Sequence, residues 1–157
     1  MQIHIDGNAN NIRFSAAHFI PGEWKCDRIH GHDYSISATI EGELEGKSYF
    51  LDFTGAKKAL RDISDYLDHM VLVPRNNKQM TIKEENGKVT VSFRDKTYMF
   101  PAREVRFLDI MDTTAECLSN YILEEVRKKL DPNLKKIEIE VHEGPGQYAK
   151  ATWVKGH

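Results

Sequence analysis

Two cysteines in 157 residues, Cys26 and Cys117, are too few for a disulfide framework and fit a reducing compartment. The N-terminus carries no apolar signal core, and no run approaches the ~20 apolar residues of a membrane span. A soluble cytoplasmic protein that does not engage membranes is therefore expected. No excess of basic residues marks a nucleic-acid binder, since the net charge is −2; an anionic small molecule stays possible, because local groups decide that. Repeats, low-complexity tracts and Pro-, Gly- or Ser-rich linkers are also missing. What is left is the composition of one ordinary globular domain spanning 1–157.

Within that domain the hydrophobic period changes along the chain. Ile12, Phe14, Ala16 and His18 alternate on one side of a strand, and Pro21-Gly22 opens a loop through Trp24 and Cys26. His30, His32, Tyr34, Ile36, Ala38 and Ile40 share one side of a second strand. Gly42 and Gly46 bracket a turn, and Ser48 to Phe53 reads as the returning strand of a hairpin. A helical stripe follows in Ala56, Leu60, Ile63 and Leu67, ending near Asp68-His69. Val71 to Val73 is a short apolar run stopped by Pro74. Asn86-Gly87 between Met80–Glu85 and Lys88–Phe93 predicts a type I′ hairpin, and Thr97–Phe100 extends it into a ribbon. Thr113-Thr114-Ala115-Glu116 matches a capping box, with Thr113 as cap, before a helix buried through Leu118, Ile122, Val126 and Leu130. Ile137, Ile139 and Val141 then face inward on a strand, with Glu143 on the same side, and Tyr148 to Val154 forms the last strand. Hairpin-linked strands with separate helices predict an α+β fold with a mainly antiparallel sheet.

Chemistry concentrates in the histidines. His18, His30 and His32 all project from the apolar side of their strands. Each alone is most simply a core histidine with one partner. Three imidazoles buried together without a metal are costly, whereas three neutral imidazoles can hold Zn²⁺ and leave a fourth position open, as catalytic zinc sites do. Gly31 between two of them permits close approach of backbone or ligand. Cys26, four residues before His30, has three readings: a thiolate base or nucleophile, a fourth zinc ligand, or an inert thiol. Asp68 and His69 can pair only if a turn intervenes, and on spacing alone a helix-end Asp beside a surface His is the simpler reading. Glu143, followed by Gly144-Pro145-Gly146, either accepts from a heterocycle with parallel N–H and amino donors or is solvated past the strand end.

The pieces stand in a telling order. Phe14-Ser15-Ala16-Ala17-His18, Cys26-Asp27-Arg28-Ile29-His30-Gly31-His32, Leu67-Asp68-His69, Thr113-Thr114-Ala115-Glu116 and Val141-His142-Glu143 follow one another. This resembles the pattern of the 6-pyruvoyl- and 6-carboxytetrahydropterin synthases. The resemblance implies a tunnelling fold (T-fold): a four-stranded antiparallel sheet with two helices on one face. It further implies homo-oligomers, trimers or hexamers, with sites between subunits. Carried across, His18, His30 and His32 are the zinc ligands and Cys26 is the general base. Asp68 and His69 relay protons, and Glu143 anchors the pterin, with Thr113, Thr114 and Glu116 near the ring. The implied substrate is 7,8-dihydroneopterin triphosphate. Of two products, the intact C-x-x-x-H-G-H spacing favours 6-carboxytetrahydropterin, on the way to the 7-deazaguanine nucleosides queuosine and archaeosine, over the pyruvoyl product.

The chain departs from that pattern in three places. An insertion over about 74–110 enlarges the stretch between the Asp-His pair and the second helix. Asp112-Thr113 stands in place of Pro-Thr, and Gly144 replaces the Thr after the anchoring Glu. Two other classes compete: a zinc hydrolase, and a pterin- or metal-binding module without catalysis. Retained Cys26, Asp68 and His69 argue against the module, because binding alone does not need them.

Overall fold

The computed structural model describes residues 1–22 and 24–156. Strands β1 (Gln2–Ile5), β2 (Arg13–His18) and β3 (His30–Glu41) come first, followed by helix α1 (Phe53–Leu67) and strand β4 (Met70–Pro74). Strands β5 (Thr81–Glu85), β6 (Lys88–Phe93), β7 (Lys96–Pro101) and β8 (Val105–Leu108) lead to helix α2 (Ala115–Arg127). Strands β9 (Lys136–Gly144) and β10 (Gln147–Val154) close the chain.

The organising strand is β3, twelve residues long. Its first half pairs antiparallel with β2, its second half with β1, and its other edge with β9, which pairs with β10. The expected four antiparallel strands, β10-β9-β3-β2, thus run from one edge of a larger sheet, which β4 and β8 extend beyond β2. Both helices lay apolar stripes on it: Ala56, Leu60, Ile63 and Leu67 from α1, and Leu118, Ile122 and Val126 from α2. Phe14, Tyr34, Ile36, Ile139 and Val141 meet them from the sheet. Fully burying each such Leu or Ile contributes roughly 1.5–3 kcal/mol, so this layer dominates stability.

Several boundaries differ from the sequence reading. Ser48 to Phe53 is not a returning strand. Asp52 instead caps α1, its carboxylate accepting from the Thr54 and Gly55 N–H groups at 3.0 Å each. Those bonds hold the Asp52 carboxyl below its usual range. The apolar run at Val71 to Val73 belongs to β4, which pairs parallel with both β2 and β8. Neither β8 nor β1 was anticipated. The capping of α2 also shifts by one residue. Thr114 is the cap, accepting from Cys117 N–H at 3.3 Å, while the Thr113 N–H goes to the Asp112 carboxylate at 2.8 Å. Asp112 therefore takes the N–H that Glu116 would accept in a Thr113 capping box. The last turn of α2 stops at Arg127, with Leu130 only partly buried beyond it.

The expected ribbon is present as the antiparallel sheet β5-β6-β7. Asn86 and Gly87 take φ of 51° and 73°, the left-handed pair that a type I′ turn needs. This ribbon has its own core. Val89, Val91 and Phe93 pack on Phe19, Val73 and Val105.

Candidate metal and substrate site

Register builds the histidine cluster. In the β2–β3 ladder His18 stands directly opposite His30, and Ala16 opposite His32. Opposed residues share a face, and so do residues two apart; all three imidazoles therefore converge. Ring centroids are 4.5 Å apart for His18–His30 and 5.1 Å for each of the other two pairs. One ring nitrogen from each lies within 4.8 Å of the others. Gly31, between two of the rings, is required by backbone: a Cβ there would sit 2.8 Å from the Ala16 carbonyl oxygen.

Hydrogen bonds select the tautomers. His18 Nδ1–H donates to the Thr113 carbonyl at 3.0 Å, with the Thr113 hydroxyl 3.1 Å away. His30 Nδ1–H donates to the Arg28 carbonyl at 2.7 Å. A carbonyl only accepts, so each bond leaves Nε2 with its lone pair. The Tyr34 hydroxyl lies 3.4 Å from His18 Nε2. Burial first, and then the neighbouring His30 and His32, push His18 down to about 4, against the Thr113 carbonyl, which favours the charged form. His18 is thus a neutral donor at physiological pH. Three imidazoles with two backbone-fixed tautomers suit a borderline-soft ion such as Zn²⁺, for which they would supply three ligands.

A cavity of about 300 Å³ is lined by Ile20, Thr114, Glu116, Glu143 and Tyr148, Thr114 being the neighbour of the His18 partner Thr113. Glu143 is half-buried at the end of β9. Its charge, after burial itself, helps push the Tyr34 phenol up, which ties the cavity electrostatically to the ring stack at His18. Thr113, Thr114 and Glu116 therefore split. The buried Thr113 faces His18, while Thr114 and Glu116 face the cavity.

Cys26, Asp68 and His69 sit outside the strands of the sheet. Cys26 is exposed on a single 3-10 turn, Trp24–Asp27, and its carbonyl accepts from Ile20 N–H at 2.7 Å. Asp68 and His69 do pair: His69 Nδ1–H donates to Asp68 Oδ2 at 2.7 Å. The turn that adjacency demanded is present, since His69 has φ 57° and its N–H reaches the Ser15 carbonyl at 2.7 Å. The other Asp68 oxygen accepts from Ser15 N–H at 2.8 Å. Burial works against the Asp68 charge, but the Ser15 N–H and His69 outweigh it and hold the carboxyl below its usual range. His69 is 85% exposed and shares an open groove with His32 and Gly31. Thr113 and Tyr34 are the contacts that sequence reading missed as partners of the histidines. Tyr34 lies two residues beyond His32 on the same face, and that was the available signal.

A sequence profile of the 6-pyruvoyl tetrahydropterin synthase family matches residues 9–152, and the chain belongs to that family. A Methanocaldococcus jannaschii relative, provisionally named a 6-carboxy-5,6,7,8-tetrahydropterin synthase, is 33% identical over 154 residues, covering 95% of this chain and 94% of its own. The 6-carboxy-5,6,7,8-tetrahydropterin synthase of Haemophilus influenzae is 27% identical, covering 90% and 95%. Among solved structures, the 6-pyruvoyltetrahydropterin synthase of Plasmodium vivax superposes with a TM-score of 0.91 at 25% identity, covering 98% of each chain.

Proposed function

We propose that this chain is a zinc-dependent 6-carboxy-5,6,7,8-tetrahydropterin synthase. It converts 7,8-dihydroneopterin triphosphate with loss of triphosphate and acetaldehyde, in the synthesis of 7-deazaguanine precursors of queuosine or archaeosine. The observation that carries this reading is the convergence of His18, His30 and His32, together with the Glu143 cavity. The relatives named for the carboxy-forming reaction cover nearly the whole chain and favour that product.

His18, His30 and His32 hold the ion, and Thr113 and Arg28 orient two of them through their carbonyls. When bound, zinc supplies Lewis acidity that polarises the hydroxylated side chain of the substrate. Glu143 accepts from the pterin N–H and amino group, a parallel pair of donors matched to a carboxylate. Thr114 and Glu116 border the ring. Cys26 is the general base, and His69, held in one tautomer by Asp68, carries the second proton. The exposure of Cys26 and His69 fits sites completed between copies of the chain in a trimer or hexamer, and the working compartment is the cytoplasm.

The test is product identification. Zinc-loaded protein is incubated with 7,8-dihydroneopterin triphosphate and the products are analysed by mass spectrometry. Carboxytetrahydropterin with acetaldehyde is the expected outcome. Pyruvoyltetrahydropterin moves the protein to the other branch, and absence of any turnover counts against both.

A further inference from the structure

The turn bearing Cys26 has no core of its own. Trp24–Asp27 contains no buried residue, and Trp24 is 88% exposed at φ 45°, a left-handed conformation unfavourable for a bulky side chain. A general base on such a segment needs more than the single Ile20 N–H bond to the Cys26 carbonyl to fix its position, because proton transfer demands approach to hydrogen-bond distance.

The inserted ribbon supplies contacts at three points. Phe19, the residue after His18, stacks on Phe93 and Tyr98 with centroids 5.2 and 5.0 Å apart. Gly22 lies against Gln79 and Arg94, close enough that a Cβ there would be 3.4 and 3.5 Å from their side chains. Asp27, next to Cys26, is gripped by Lys96, whose ammonium donates to the Asp27 carboxylate at 2.6 Å and to its carbonyl at 3.0 Å. Arg94 adds a second cation 3.9 Å from the same carboxylate. Asp27 is only 15% exposed and Lys96 26%, so this pair is more enclosed than an ordinary surface ion pair. Two donations from one ammonium to the side chain and main chain of one residue fix that residue's backbone, and Cys26 is its neighbour.

We propose that the ribbon clamps the Cys26 turn onto the sheet and that Lys96 is a positioning residue for Cys26. Lys96 acts through Asp27 and touches neither the ion nor the pterin. The inference rests on the role of Cys26 proposed above, but the clamp itself has a readout that does not involve turnover. Lys25 and Arg28 flank the clamped residues and are exposed, so trypsin reports how often the turn opens.

The experiment compares wild type, Lys96→Met, Lys96→Arg and Asp27→Asn, each zinc-loaded. In Lys96→Met, kcat on 7,8-dihydroneopterin triphosphate falls about 100-fold while KM, metal content and melting temperature stay close to wild type. Cleavage after Lys25 or Arg28 accelerates about tenfold. Lys96→Arg restores most of both. Asp27→Asn, which keeps Lys96, reproduces both defects in weaker form and serves if Lys96→Met does not fold. Unchanged proteolysis in Lys96→Met and Asp27→Asn overturns the clamp, and faster proteolysis with unchanged kcat overturns the positioning role. A wild type inactive on the pterin removes the functional reading, and the proteolysis comparison then decides the clamp alone.

Discussion

The histidine cluster on the β2–β3 ladder and the Cys26 turn that connects those two strands are built by opposite means. The histidines stand on paired strands, His18 is fully buried, and two of the rings are locked by backbone carbonyls. Cys26 stands on an exposed single turn held by side chains from an insertion. Asp68-His69 resembles the second case, with His69 exposed and left-handed beside a partly buried Asp68. Groups that hold an ion benefit from rigidity, since displacement of any one breaks the geometry. Groups proposed to move protons must meet a substrate that enters and leaves, which fits the exposure of Cys26 and His69.

That contrast can be broken by substitution, and the expected effects descend in size. Replacing a ligand, His32→Ala, abolishes zinc binding and activity together; metal analysis showing full zinc content would refute the assignment of His32. Cys26→Ala lowers kcat by about 100-fold or more while zinc content and melting temperature remain at wild type, because the exposed thiol packs against nothing that the fold needs. Unfolding of that variant would contradict the division between the two regions. Thr113→Val removes the hydroxyl beside His18 but leaves the carbonyl acceptor, so zinc affinity drops about tenfold in a competition titration with a chelator.

The smallest effect concerns the frame alone. Asp52 has its carboxyl depressed by the Thr54 and Gly55 N–H groups, so its contribution is present above the unfolded carboxyl pKa of about 3.9 and fades as pH falls through the lower folded value. Asp52→Ala therefore melts below wild type at pH 7, and the gap narrows below pH 4. A constant gap across that window would mean that the cap does not act through its charge.

The histidine geometry was legible in the sequence because strand period fixes the side on which each residue projects, and His18, His30 and His32 share parity with core residues. The ribbon was legible because Asn86-Gly87 has one natural backbone solution. The parallel pairing of β4 with β2 and β8 was not, since it joins segments with no local turn to announce them. Thr113 was read as a helix cap because Thr-Thr-Ala-Glu offers two registers; only the Asp112 carboxylate, taking the Thr113 N–H, decides between them. Ser48 to Phe53 misled because Tyr49, Phe50 and Leu51 look strand-like, whereas the Asp52 side chain commits the chain to α1. The Asp68–His69 pair needed a left-handed His69 that no spacing rule reveals.

Zinc K-edge X-ray absorption on the zinc-loaded protein distinguishes an open three-histidine site, with Cys26 apart as the proposed proton carrier, from a closed one. Imidazole nitrogens at about 2.0 Å with a light oxygen neighbour and no sulfur are expected. A sulfur shell at about 2.3 Å would place Cys26 on the metal, close the site and refute its proposed role as base.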